Sequence, residues 1–226
     1  MKNVLVVGCS QGIGFETVKV ALSKGNRVFA ASRNLNPLIE LKENNLYTLQ
    51  CDISNADSVE KMVQQFESYE KKLDAIIVTA GLLIKKDFHL LTEEDFHHIY
   101  QTNVYGVFHL IRTIDQLILP GASVTTIGSM GGVSGALKFP GMLFYSSSKA
   151  ALSCLTECLA VEYQNQNIHC NSLALGAVET DMKNQAFPEF KAPHKPEEIA
   201  PFIVDFALTH YKLFNGKTLP VSVSTP

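Results

Sequence analysis

The chain has 226 residues, with 19 Lys and Arg against 22 Asp and Glu, and 46% of its residues are hydrophobic. That length and composition suit a single domain over residues 1–226 with ample core, and they exclude disorder or a collagen-like repeat. The near-neutral charge offers no basic excess for neutralising phosphates, so no nucleic-acid partner is expected. The opening apolar run, Val4-Leu5-Val6-Val7, is too short for a signal-peptide core. No run approaches about 18 residues, so no membrane span is expected. Five cysteines, at 9, 51, 154, 158 and 170, form no C-x-x-C pair. Cys154 and Cys158 share a helical spacing and read as buried small hydrophobes rather than as a metal site, which fits a reducing cytoplasm.

The first element is a strand over residues 3–7, and a helix follows over 12–24. Between them runs Gly8-Cys9-Ser10-Gln11-Gly12-Ile13-Gly14. Glycines in a strand–turn–helix let the backbone approach a phosphate closely, and the helix N-terminus offers free N–H groups to a pyrophosphate. The same residues match G-x-S-x-G, the nucleophile elbow of hydrolases. That elbow needs earlier strands and an upstream oxyanion loop, and neither exists before residue 8. No Gly-Lys-Ser/Thr ending follows, so a P-loop nucleotidase is unsupported.

A second strand over 27–31 ends in Ser32-Arg33-Asn34. A ribose 2′-hydroxyl would want an acid there and a 2′-phosphate a cation, so Arg33 favours NADP(H) over NAD(H); the alternative is a solvated loop cation. A third strand over 46–51 precedes Asp52, which suits either an acceptor for an adenine amino group or a helix N-terminal acid. Helices are expected over 54–70, with Ser54 and Asp57 at the cap, and over 92–119 with a break, capped by Thr92 and Asp95. A strand over 75–78 separates them and runs into Thr79-Ala80-Gly81. His89, His97 and His98 lack the spacing of a metal site and read as an exposed helix surface. A strand over 122–127 comes next.

Tyr145-Ser146-Ser147-Ser148-Lys149 opens a helix over 145–164 and sets a phenol and an ammonium one turn apart on one face. A phenol titrates near 10, and a nearby ammonium is expected to draw that value down toward useful acid–base chemistry. A strand over 168–173 follows, then an irregular stretch over 176–195 with Pro188 and Pro193. Pro196-Glu197-Glu198 begins a further helix, and 217–223 forms a last strand. This alternation implies βαβ units and an α/β fold: a doubly wound parallel sheet of about seven strands in a single Rossmann-fold domain.

Taken together, the glycine turn, Thr79-Ala80-Gly81, Asn103, Ser129 and the Tyr145–Lys149 pair resemble the short-chain dehydrogenase/reductase family, in the family's order and over nearly the whole chain. The resemblance implies a catalytic group of Asn103, Ser129, Tyr145 and Lys149. Ser129 would anchor a carbonyl oxygen and Tyr145 act as general acid or base. Lys149 would bind the nicotinamide ribose, and Asn103 would hold a water joining Lys149 to a proton relay. It further implies a cofactor site of Gly8, Ser10, Gln11, Gly12, Ile13, Gly14, Arg33, Asp52, Ile53, Ala80, Gly81, Tyr145 and Lys149, with Val178 and Thr180 at the carboxamide, and no metal. The expected activity is hydride transfer between NADP(H) and a secondary alcohol or its carbonyl counterpart. A cofactor-binding regulator and a non-redox epimerase or dehydratase are the alternatives. A homodimer or homotetramer is expected by the same resemblance.

Several positions depart from the family pattern. Val7 stands in place of a threonine, Thr79 in place of an asparagine, and Leu175 in place of a proline. The stretch from Ser129 to Tyr145 is long, which makes Ser134 a rival for the serine role. The C-terminus, residues 221–226, lacks the usual acidic–glycine ending. Substrate choice is left to residues 85–91, 133–144 and 176–195, with Met182, Phe187 and Phe190 as lid candidates.

Overall fold

In a computed structural model, which describes residues 1–223, the short Val- and Ile-rich runs pair as seven parallel strands. They are β1 (Asn3–Val7), β2 (Arg27–Ser32), β3 (Leu46–Gln50), β4 (Leu73–Val78), β5 (Ile118–Ser129), β6 (His169–Leu175) and β7 (Lys217–Val221), in the spatial order 3-2-1-4-5-6-7. Ser224, Thr225 and Pro226 of the unusual C-terminal ending lie outside the described residues. Alternate residues of each strand face opposite layers. Leu5 and Val7 pack with Phe29, Ile76 and Val124 on one side, and Val4 and Val6 with Val28, Ala75 and Ile77 on the other. Burial on both faces explains why the strands read as continuous apolar runs.

Helices cover both faces: α1 (Gly12–Ser23), α2 (Asn36–Ile39), α3 (Ala56–Tyr69), α4 (Glu93–Tyr100), α5 (Gly106–Ile114), α6 (Leu143–Glu162), α7 (Asp181–Ala186) and α8 (Pro196–Leu208). Three expectations need correction. The cap of α3 is Asn55, which accepts from Ser58 N at 3.0 Å; Ser54 is drawn instead onto Asp52 Oδ1, through its N–H at 3.0 Å and its hydroxyl at 2.7 Å. The helix expected over 92–119 ends at Ile114, and Ile118 and Leu119 already belong to β5. Cys154 and Cys158 are exposed, because α6 turns Leu152, Ser153, Thr156 and Ala160 to the sheet and these cysteines to its outer side. His97 and His98 are exposed too, each beside a glutamate one turn back.

The break in the long helix is a wide turn over Gln101–Tyr105, with Gly106 N–H reaching back to Gln101 O. Gly106 makes this possible: a Cβ there would lie 2.3 Å from Ile53 O, so only glycine lets the chain pass so close to the loop after β3. Such a turn displaces one residue inward, and the residue it buries completely is Asn103.

Because β1 sits between β2 and β4, connections leave it in opposite directions, opening a crevice at the carboxyl ends of β1 and β4. Gly8 forms its floor at φ +88°, where a Cβ would lie 2.4 Å from the backbone of Ala80. Gly8→Ala is therefore expected to cost about 2–4 kcal/mol in thermal or denaturant unfolding, from backbone strain and overpacking together. A loss below about 0.5 kcal/mol would show that the crossing tolerates a side chain.

Candidate active site

The glycine turn is tied from an unexpected side. Val7 has no hydroxyl to offer, and the Thr79 hydroxyl at the end of β4 reaches Val7 O and Gly8 O at 2.9 and 3.0 Å. Backbone N–H groups of Thr79 and Ala80 also converge on Val7 O, at 2.9 and 3.0 Å. Two departures from the family pattern thus compensate each other across the crevice. Sequence reasoning missed this because the partners lie 71 and 72 residues apart.

Turn and helix meet in a form suited to an anion. The first turn of α1 contains Gly12 and Gly14 and no acid, and Gln11 at its cap makes no side-chain bond to the helix amides. Those N–H groups keep their positive end of the helix dipole for a ligand. Thr180 faces Gly12, with its Cγ2 3.4 Å from where a Cβ would stand, and it caps α7 by accepting from Lys183 N at 3.2 Å. A cleft of about 280 Å³ opens between this turn and the loop after β6, with Gly12, Thr180 and Pro196 in its wall. Val178 is buried beside it, bridged to His194. At the end of β2, Arg33 is exposed and its carbonyl accepts from Gln50 Nε2 at 2.7 Å. Asp52 is half-buried and holds Ser54 as described, and Ile53 is buried. These donors, the open turn and the exposed guanidinium fit a dinucleotide.

Asn103 and Lys149 meet beside Gly81. A Cβ on Gly81 would stand 3.3 Å from Lys149 Nζ and 3.6 Å from Asn103 Oδ1. Tyr145 lies in the first turn of α6 and Lys149 one turn on, as their spacing requires. Lys149 is 4% exposed, and its Nζ donates to Ile127 O at 2.8 Å. Burial lowers its pKa from 10.5 to about 8. Ser129 ends β5 and accepts from Gly131 N at 3.1 Å, and its hydroxyl acts on the Tyr145 phenol to lower its pKa. Ser134, the rival serine, is exposed in the loop beyond.

One expectation about this group changes. Burial raises the Tyr145 pKa above its ordinary 10, and only the Ser129 hydroxyl pulls against that. Lys149 exerts no resolved pull on the phenol, because its ammonium is turned to Ile127 O and lies 5.9 Å from the ring centroid. The Asn103 side chain is spent on the protein: Oδ1 accepts from Leu82 N at 2.7 Å, while Nδ2 donates to Leu82 O and Ser148 Oγ, both at 2.9 Å. Ser148 in turn donates to Tyr145 O at 2.8 Å. Asn103 is thus a clamp joining the chain after β4 to the Tyr145 helix. Ser148 was not singled out from sequence, although its position three residues after Tyr145 on the same face was a readable signal.

With this geometry in view, the comparisons with known proteins are specific. Residues 2–190 match the family model described as short chain dehydrogenase. The chain is 26% identical over 190 residues to a 2,3-dihydro-2,3-dihydroxybenzoate dehydrogenase of Bacillus subtilis, covering 80% of this chain and 72% of that protein. It is 30% identical over 191 residues to a tropinone reductase homologue of Arabidopsis thaliana, covering 81% and 70%. A solved dehydrogenase/reductase of Sinorhizobium meliloti superposes with a TM-score of 0.86 at 25% identity, over 98% of this chain and 93% of that one. The chain belongs to the short-chain dehydrogenase/reductase family. It is accordingly an NAD(P)-dependent oxidoreductase of CH–OH groups with a small-molecule substrate. Among the described residues no helix is long and apolar enough to cross a membrane.

Proposed function

We propose that this enzyme interconverts a carbonyl compound and its alcohol with NADP(H), and that Tyr145 is its general acid and base. The observation that supports this reading is Lys149 buried beside Gly81, one helical turn from a Tyr145 phenol that feels the Ser129 hydroxyl. The bound nicotinamide supplies or accepts the hydride. Lys149, with donors beyond the one on Ile127 O, binds the cofactor ribose. Ser129 donates to the substrate oxygen, and Tyr145 passes its phenolic proton to that oxygen as negative charge builds there. A phenol whose pKa is raised stays protonated at neutral pH, which suits the reductive direction. Asn103 acts as a positioning residue, and any relay water would meet its backbone carbonyl. The glycine turn, with Ser10, Gln11 and Ile13, receives the pyrophosphate. Asp52 and Ile53 border the adenine, and Val178 and Thr180 the carboxamide.

The preference for NADP(H) rests on Arg33, exposed at the end of β2 where a 2′-phosphate would lie. Arg33→Asp is expected to weaken NADPH binding about 10- to 100-fold, the worth of hydrogen bonds to a charged group, and to improve NADH binding. Unchanged NADPH affinity in a titration would remove the 2′-phosphate role. The catalytic reading is tested by following NADPH consumption against a panel of ketones and aldehydes. Binding of NADPH with turnover of no carbonyl would overturn it.

The same reading makes the enzyme a cytoplasmic homodimer or homotetramer. Its free thiols support the first part, and the exposed rings of Phe96, Tyr105 and Phe108 on α4, the wide turn and α5 support the second.

A further inference from the structure

The three segments left to choose the substrate are joined by one side chain. Lys85 Nζ donates to Ala186 O at 2.8 Å, at the C-terminal end of α7, and stands 3.9 Å from the centre of the Phe187 ring. Its stem passes Gly141 so closely that a Cβ there would come within 3.0 Å of Lys85 Cγ, and Lys86 N donates to Gly141 O at 3.1 Å. Phe139, in the same enlarged loop, meets Phe187 edge-on at 6.0 Å. Lys85 is also only four residues beyond Gly81, which lies against Lys149, so at most about 14 Å of chain separates the two positions.

The charge on Lys85 is held but not neutralised. Its partners are a carbonyl and an aromatic face, whereas the neighbouring Lys86 is paired with Asp95 at 2.7 Å and Lys183 with Glu179 at 2.9 Å. Lys138, in the enlarged loop, is likewise held by a carbonyl, Val133 O at 2.6 Å. Residues 82–91, 133–144 and 176–195 together carry six lysines against four acids, although acids outnumber bases over the whole chain. Among these lysines, Lys85 and Lys138 are held by carbonyl oxygens, while Lys86 and Lys183 are paired with acids. A carboxylate that takes the place of Ala186 O exchanges a neutral acceptor for a charged one, and such hydrogen bonds are about twice as strong.

We propose that Lys85 is a specificity-determining residue that recognises a carboxylate on the substrate, so that the preferred substrate is a keto acid or the matching hydroxy acid. This rests on the oxidoreductase reading above. The test is calorimetric titration of benzoylpropionate and of its methyl ester into NADP⁺-loaded protein, a complex that cannot react. Wild type is expected to bind the acid at least tenfold more tightly than the ester. Lys85→Met is expected to lose that discrimination while binding the ester within about twofold of wild type, and Lys85→Arg to retain most of it. NADP⁺ affinity should be the same in all three, because Lys85 makes no part of the cofactor site. Equal binding of acid and ester by wild type, or binding of neither, overturns the proposal. So does an equal loss of both in Lys85→Met, which would mark a purely structural latch. Failure of wild type to bind NADP⁺ overturns the underlying cofactor reading instead.

Discussion

Tyr145→Phe is expected to lower the rate of NADPH-dependent carbonyl reduction about 100- to 10,000-fold, the usual worth of a positioned general acid. Phenylalanine keeps the ring and its packing at the start of α6 and removes only the hydroxyl that meets Ser129. The loss should therefore fall on turnover, with NADPH affinity held within a few-fold and stability lowered by about 1 kcal/mol for one hydrogen bond. Steady-state kinetics at saturating NADPH, beside a cofactor titration, check both halves. A variant that retained full turnover would mean that the proton comes from another group. Direction matters as well. Because burial raises the phenol's pKa, reduction should hold its rate through neutral pH, while alcohol oxidation, which needs the phenolate, should accelerate as pH rises.

Lys149→Met is expected to abolish most activity and yet leave the melting temperature at neutral pH unchanged or higher. The ammonium is buried, and desolvation lowers its pKa from 10.5 to about 8. Between those values the unfolded chain holds a proton that the folded chain has released, so stability rises with pH across that window. Below pH 8 both states are protonated and the folded state bears the whole cost of the buried charge, on the order of 3 kcal/mol. Methionine fills similar space without the charge, but leaves Ile127 O without its donor, which offsets part of the gain. The decisive measurement is denaturant unfolding of both proteins at pH 7 and pH 10. Wild type should gain on the order of 2 kcal/mol relative to the variant. Taking the difference removes the buried thiols of Cys9, Cys51 and Cys170, whose raised pKa values act in the opposite sense above pH 9. No relative gain would show that the lysine is not desolvated as its burial implies.

A buried ammonium that costs stability in this way is what the proposed role of Lys149 at the cofactor ribose requires. The Asn103 side chain illustrates a different case, in which a buried amide holds two segments together. Its amide is consumed by Leu82 and Ser148, so Asn103→Ala would disturb the path from Gly81 to Lys85 and the seating of Tyr145 together.

The local features of this protein were legible in its residues. Strand positions followed from short runs of Val and Ile, the glycine turn from its place between a strand and a helix, and the Tyr145–Lys149 pairing from helical spacing, because each depends on neighbours within a few residues. Helix ends were less readable: Asn55 stands in place of Ser54 at one cap, and the helix expected to run to 119 ends at Ile114. Features set by distant neighbours were decided by the tertiary structure alone. Thr79 ties a turn more than seventy residues away, Gly106 yields to Ile53 O, and Lys85 draws three loops together. The sign of the Tyr145 shift belongs with them. Spacing put an ammonium one turn from the phenol, but only the fold turned that ammonium toward Ile127 O and left desolvation opposed by the Ser129 hydroxyl alone.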